Sequence, residues 1–398
     1  MLAVFTAAMY GVYCIPNTMI EESVRDSKRT ILQESQYWNG YRNRVNVYYE
    51  KDFFTDSVML NEAAFPGQFS PLEYAMKNPN SSMEFSYTPE ENENADCIWN
   101  YGRYWHGYLV PLKLMLLTMP VRNIRIINFF IINLLFLWCL TLMMRRHLNR
   151  MALVFTATML LLGLQIMPSS MQYMACTTIT LLAIGIILQW KKTFSNLENL
   201  YVLFFAVGGL TSSMDFLTYP LLTLGMPAIV ALYNEPKAGK TVTCIKPLIM
   251  ICLCWGLGYS MIWCSKWILA SVLTDSNFIA NAVKSIGIRT DHSHTNTLTY
   301  YDRLITFTVV YIATYLSAVI VMWIRIHHDG KCLDYKNNIY LLVLAVFPVI
   351  WLLVLYNHTL QHMYMTWRTY GITLFALGCY CLQPSKRNME CNQPQNQI

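Results

Sequence analysis

The chain has 398 residues, enough for two or three soluble domains, yet 55% of them are apolar, only 13% are charged, and the net charge is +6. That charged fraction is about half the soluble norm, too small to cover a water-facing surface but suited to one that faces hydrocarbon. The positive charge is spread along the chain without a basic patch interleaved with aromatics, which excludes a nucleic-acid partner as the organising function.

Read in chain order, the sequence predicts an all-α fold: a polytopic transmembrane bundle of about ten helices, since about 20 apolar residues cross a core of roughly 30 Å. Apolar runs lie near 1–16, 124–144, 151–168, 171–190, 198–213, 217–233, 247–265, 304–324, 338–356 and 366–382. Residues 1–16 form the first transmembrane helix, 17–123 a large extracytoplasmic loop, 124–382 the bundle and 383–398 a cytoplasmic tail. The first run would span only about 24 Å at ~1.5 Å per residue. It lacks the charged start and small-residue cleavage site of a signal peptide, so the expectation is a short helix or a late chain start.

Within the first loop, residues 21–37 read as a polar surface helix with acids early, and 60–100, rich in Asn, Pro, Ser and Glu, as loop and short helix. Residues 103–120, apolar and bounded by aromatics and Pro120, read as a re-entrant or interfacial helix. Orientation follows from basic residues. Loops 145–150, 191–197, 234–246, 325–337 and the tail hold thirteen Lys and Arg, whereas the alternate short loops and their edges hold Lys266, Lys284, Arg289, Arg303 and Arg368. The richer side is cytoplasmic by the positive-inside rule, which puts both termini in the cytoplasm and 17–123 outside. Cys139, Cys176, Cys252, Cys254 and Cys379 fall in apolar runs, where cysteine packs as a small hydrophobe, and no Cys-x-x-Cys metal spacing occurs.

Candidate chemistry lies where polar groups meet the outer membrane edge. Asp56, in DFFTDSVMLN, could act as a general base or hold a divalent metal, or else Thr55 or Asp56 could cap the following helix. In NYGRYWHGY, Arg103, Tyr104, Trp105 and His106 suit a sugar or lipid phosphate, although such aromatics also serve as headgroup anchors. Arg122 and Arg125 follow on the outer side, against the positive-inside trend. His358 and His362, four residues apart, could share a helix face beside Arg368, and Asp215 could be a membrane-plane acid or a helix cap. Asp291, His292 and His294 form a further polar cluster. No metal set and no definite cofactor follow from these residues. Walker, Gly-x-Ser-x-Gly, His-Glu-x-x-His and dinucleotide motifs are absent, which removes support for ATP-driven transport, serine hydrolysis and zinc proteolysis.

The stretches WNYGRYWHGYLVPLKLMLL, SSMDFLTYPLLTLGMP and NHTLQHMYMTWRTY resemble segments of multi-pass proteins of bacterial envelopes. The layout, a first helix, a large outer loop and a bundle, is similar to that of glycosyltransferases of the GT-C class. The resemblance implies a carboxylate of the first outer loop as base, here Asp56 with Glu21 or Glu22 behind it. It also implies a lipid-phosphate sugar donor, a glycan or glycolipid acceptor and residence in the inner (plasma) membrane, in contact with its lipid. Arg103, Arg122 and Arg368 would hold the phosphate. The expected function is therefore a membrane glycosyltransferase. The alternatives are a transporter or flippase of lipid-linked substrates, on which Asp215 and the GGLTSS stretch would bear, or a non-catalytic assembly protein.

Overall fold

The computed structural model describes residues 1–41, 51–66, 69–80, 99–233, 245–291, 314–324 and 335–382. Apart from one antiparallel pairing of Pro79–Asn80 with Trp99–Asn100, its regular structure is helical. Among the described residues three helices are long and apolar enough to cross a membrane: Val121–Arg145, Met171–Gln189 and Ile245–Leu273. Their composition marks a membrane protein. The shorter apolar helices fall at the other predicted runs, Leu2–Tyr13 (α1) among them. His292 and His294 lie outside the described residues.

The first loop is built of short helices. The helix Glu21–Tyr41 (α2) opens with Glu21 and Glu22 at its positive N-terminal end, and Val24, Ser27 and Ile31 form its buried edge. Helix Phe53–Ala63 (α3) is capped by Asp52, which accepts from Thr55 N–H at 2.9 Å. Helix Pro71–Lys77 (α4) carries a capping box between Ser70 and Glu73. The expected helix over 103–120 is helical only at Leu109–Leu116 (α5). It is shorter because the residues before it dock on the bundle. Gly107 N–H donates to Ser213 O at 2.7 Å, Trp105 Nε1 donates to Ile262 O at 2.7 Å, and His106 turns the chain with φ 53°. Leu109, Leu112, Lys113 and Leu116 are buried, so α5 packs on α1 and α3 along one face and exposes only the other.

Helix Val121–Arg145 (α6) starts after Pro120, and its first N–H donates to Ser27 Oγ of α2 at 2.7 Å, an orphan donor satisfied across the loop. Val121, Ile124, Arg125, Asn128 and Ile132 line its buried stripe, while Ile126, Phe129, Phe130 and Leu134 point outward. Helix Asn149–Leu161 (α7), a 3-10 turn at Met171–Tyr173 and helix Met174–Gln189 (α8) follow. After a short helix Lys191–Phe194 (α9) come Leu197–Met214 (α10), Leu222–Leu232 (α11), Ile245–Leu273 (α12), Phe278–Thr290 (α13) and Thr314–Ile324 (α14). Tyr335–Val354 (α15), the short helices Tyr356–Gln361 (α16) and Met363–Thr366 (α17), and Gly371–Cys381 (α18) complete the chain.

One hydrophobic core runs through the bundle, with Phe155, Tyr219, Ile229 and Phe375 near its centre. A second joins α1, the first-loop helices, α5 and the end of α12 through Met9, Ile31, Trp105 and Leu116. Helices α10 and α12 meet most closely. A Cβ on Gly208 would lie 2.1 Å from Trp255 O, and one on Gly258 2.0 Å from Phe205 O. Small residues at such crossings let two backbones touch. Gly258→Ala should therefore force the pair apart and lower stability by about 1–3 kcal/mol, read as melting in detergent. Gly256→Ala, with open space around its Cβ, should not. The eight described cysteines are free, and Cys139, Cys176 and Cys379 are buried as packing residues.

Candidate functional site

The residues that matter come from one end of the bundle: the N-terminal ends of α6 and α8, the C-terminal ends of α10 and α12, and the α16–α17 turn, with α3 laid against them. Asp56, in the first turn of α3, is fully buried. Its Oδ1 accepts from the Met171 N–H at 2.7 Å and its Oδ2 from Arg125 Nη2 at 3.2 Å. Arg125 reaches on with Nη1 to Glu34 Oε2 of α2 at 2.7 Å, and Lys51 joins the same oxygen at 3.2 Å. Burial pushes the Asp56 carboxyl up to about 7, with Arg125 opposing the rise and Asp52 adding to it.

One turn earlier, Asp52 is raised as well, again chiefly by burial and against the Thr55 hydrogen bond. Its side chain also accepts from Gln172 Nε2 and from the Tyr364 hydroxyl, while its own N–H donates to Ser170 Oγ at 2.9 Å. Asp52, not Asp56 or Thr55, is thus the helix cap. Arg368 closes this network from the opposite side. Fully buried, it donates Nη1 to Tyr364 O at 2.9 Å and lies 4.0 Å above the Tyr173 ring, with Nε and Nη2 unpartnered. A carboxylate has about four lone-pair positions. Asp56, with two donors in place, therefore keeps capacity for two more.

A second cluster uses another flank of α3. Buried Glu62 accepts from Tyr108 OH at 2.5 Å and stands 2.8 Å from His106 Nδ1, while its Oε1 has no partner. His106 Nε2 faces Tyr101 O at 3.2 Å. Trp105 lies behind it under Lys266, whose Nζ is 5.2 Å from the ring centre and bonds to Asn78 Oδ1 at 2.8 Å. These contacts lock the aromatic segment as a wall.

The third cluster surrounds Tyr104. Arg103 lies 4.9 Å from the Tyr101 ring centre and 5.3 Å from that of Tyr104, and its Nη1 donates to Asn281 at 3.2 Å. Arg289 sits 5.6 Å from the Tyr104 ring centre. The imidazoles of His358 and His362 lie 4.8 Å apart, tilted by 49°, and His358 Nε2 lies 2.9 Å from Leu217 O. Burial first, then His362 and Arg289, lowers His358 to about 3, and burial with Arg289 lowers His362 to about 4. The His362 ring lies 6.1 Å from Tyr364, which links this cluster to the carboxylates. Among the described residues no three His, Cys, Asp or Glu converge as a metal would require.

The chain has no significant match among protein-family models, curated proteins or solved structures.

Of the residues singled out from sequence, Asp56 and Arg125 touch, and Arg368 joins them through Asp52 and Tyr364. Arg103, Tyr104, His358 and His362 gather about Arg289, with Trp105 and His106 in the wall beside them. Four do not join. Glu21 is exposed and pairs with Arg25 at 2.7 Å, and Glu22 and Arg122 are exposed. Asp215 has both oxygens engaged by Thr218, at 3.0 Å to its N–H and 2.5 Å to its hydroxyl, as a local turn cap. Sequence reasoning missed Glu34, Glu62, Gln172, Tyr364 and Arg289. Only Asp52, four residues before Asp56, left a signal that could have been read.

Proposed function

We propose that the chain is an integral membrane glycosyltransferase that moves a sugar from a polyprenyl-phosphate carrier onto an envelope glycan or glycolipid. It crosses the plasma membrane about ten times in a GT-C-like layout, with both termini cytoplasmic and the first loop outside, as the distribution of basic residues favours. The observation that carries the reading is the pair of buried carboxylates on α3, Asp56 held by Arg125 and the Met171 N–H and Asp52 by Tyr364, whose carbonyl in turn accepts from Arg368. A carboxyl poised near neutrality is matched to general-base work at physiological pH. Asp56 takes the proton of the acceptor hydroxyl as its oxygen bonds to the anomeric carbon. The bond from that carbon to the phosphate oxygen breaks, and the phosphate leaves with the electron pair. Arg368 offsets negative charge beside the carboxylates.

The direct test uses the purified full chain in nanodiscs with polyprenyl-phosphate sugars and mixed envelope acceptors. Stoichiometric release of polyprenyl phosphate with sugar transfer is expected. Movement of the intact donor across the bilayer without cleavage would replace the transferase reading by a flippase.

A further inference from the structure

The carboxylate network and the Tyr104 cluster differ in their charge balance. Asp56 and Glu34 are paired with Arg125 and Lys51, and Asp52 is held by hydrogen bonds from Thr55, Gln172 and Tyr364. Around Tyr104 there are two guanidinium groups, Arg103 and Arg289, neither of which forms an ion pair among the described residues; the nearby acid Glu62 is taken up by Tyr108 and His106. Asp215, which shares Tyr259 as a neighbour with Tyr104 and Arg289, is occupied by Thr218. Three polar atoms here are buried and unpartnered: Arg103 Nε, the Tyr104 hydroxyl and His362 Nδ1. Tyr104 is only 4% exposed, so water does not supply its hydroxyl with an easy substitute. Arg289 is the common neighbour, lying over Tyr104 and acting electrostatically on both imidazoles.

Unbalanced cations beside orphaned donors describe the recognition of an oxyanion. Guanidinium forks match the spacing of phosphate oxygens, and hydroxyl and imidazole N–H groups supply further donors. We propose that Arg289, with Arg103, Tyr104 and His362, forms a site for a phosphoryl group, Arg289 being its principal charge. Where the transferase reading holds, on which this extension rests, the occupant is the carrier phosphate, facing the α3 carboxylates across His362 and Tyr364. The same chemistry would accept a free phosphate.

The full chain in zwitterionic nanodiscs, with or without a long-chain polyprenyl monophosphate, is assayed for bound lipid by native mass spectrometry and for inorganic phosphate by calorimetry. Wild type should retain the polyprenyl phosphate, with inorganic phosphate as competitor. Arg289→Gln should weaken binding by about tenfold to a hundredfold, the weight of a charge-assisted contact. Arg289→Lys should restore part of it, and Gly256→Ala, on open space away from the site, should bind as wild type. Tyr104→Phe, which removes one hydroxyl, gives a second reading should Arg289→Gln fail to fold. Binding of free phosphate without the lipid phosphate would uphold the anion site and remove the carrier from the transferase reading. Binding of neither by wild type, or unchanged binding in an Arg289→Gln chain of normal melting temperature, would overturn the proposal.

Discussion

Asp56→Asn should lower sugar transfer by about 10²–10⁴-fold, the usual contribution of a positioned general base, while the chain still inserts and folds. The isosteric amide keeps the volume and can still accept from the Met171 N–H, so the loss reports chemistry more than architecture. Wild-type transfer should rise with pH through an apparent pKa of about 7, because the base must be ionised to act. Stability should move the opposite way. A carboxyl whose folded value stands at about 7 against 3.8 ordinarily holds a proton in the folded state that the unfolded chain has lost. Between those values the folded state binds more protons, and stability falls as pH rises through the window. Thermal melting across pH 4–7.5 checks this, and Asp56→Asn should flatten the slope. A transfer rate in the variant equal to wild type would remove Asp56 from the mechanism.

Arg125→Ala should be the most destabilising single change near the site, at about 3–5 kcal/mol, the cost of leaving a buried charge without its partner. Two acids lose their cation at once, Asp56 at 3.2 Å and Glu34 at 2.7 Å. Partly exposed Glu34 keeps Lys51, so most of the penalty falls on Asp56. The double variant Asp56→Asn/Arg125→Met should recover much of the loss, since replacing both members by groups of similar volume removes the uncompensated charge. Unfolding in detergent of the two single variants and the double yields the coupling directly. Additive losses would mean that the pair is not coupled in the folded protein.

The α6 arginines show what the sequence could reveal. Both were visible as outer-side cations, and the helical period already separated them. Arg125 shares its face with Val121, Ile124, Asn128 and Ile132, whereas Arg122 belongs to the face of Ile126 and Phe129. The burial of one and exposure of the other was therefore latent in the spacing. The long apolar helices were legible because lipid-facing composition needs no tertiary partner to declare itself; α6 and α12 begin and end within a few residues of expectation, save that α12 runs on to Leu273. The site was legible only in part. Asp56 stood out by its residue type, but Glu34 reaches its partner Arg125, and Gln172 and Tyr364 reach Asp52, from three separate elements, and such long-range convergence leaves no local pattern. Arg289 was invisible for a related reason. A single arginine at the end of a polar helix gains its meaning from Tyr104, far away in the chain. The aromatic run 100–108 suits headgroup anchoring or a sugar or lipid site by its sequence, and its burial comes from hydrogen bonds to α10 and α12 that periodicity does not encode.

Asp52, Asp56 and Glu62 all ride on α3, a rod of eleven residues and its cap. Each residue turns a helix by about 100°. Inserting or deleting one residue between Asp56 and Glu62 would therefore swing one cluster away from its partners while the other stayed in place. Point substitutions alter a group and keep the register between the two clusters, whereas a change of length breaks that register. The helix thus fixes the spacing of these three acids as a single unit, so that one rigid element sets the register of both clusters.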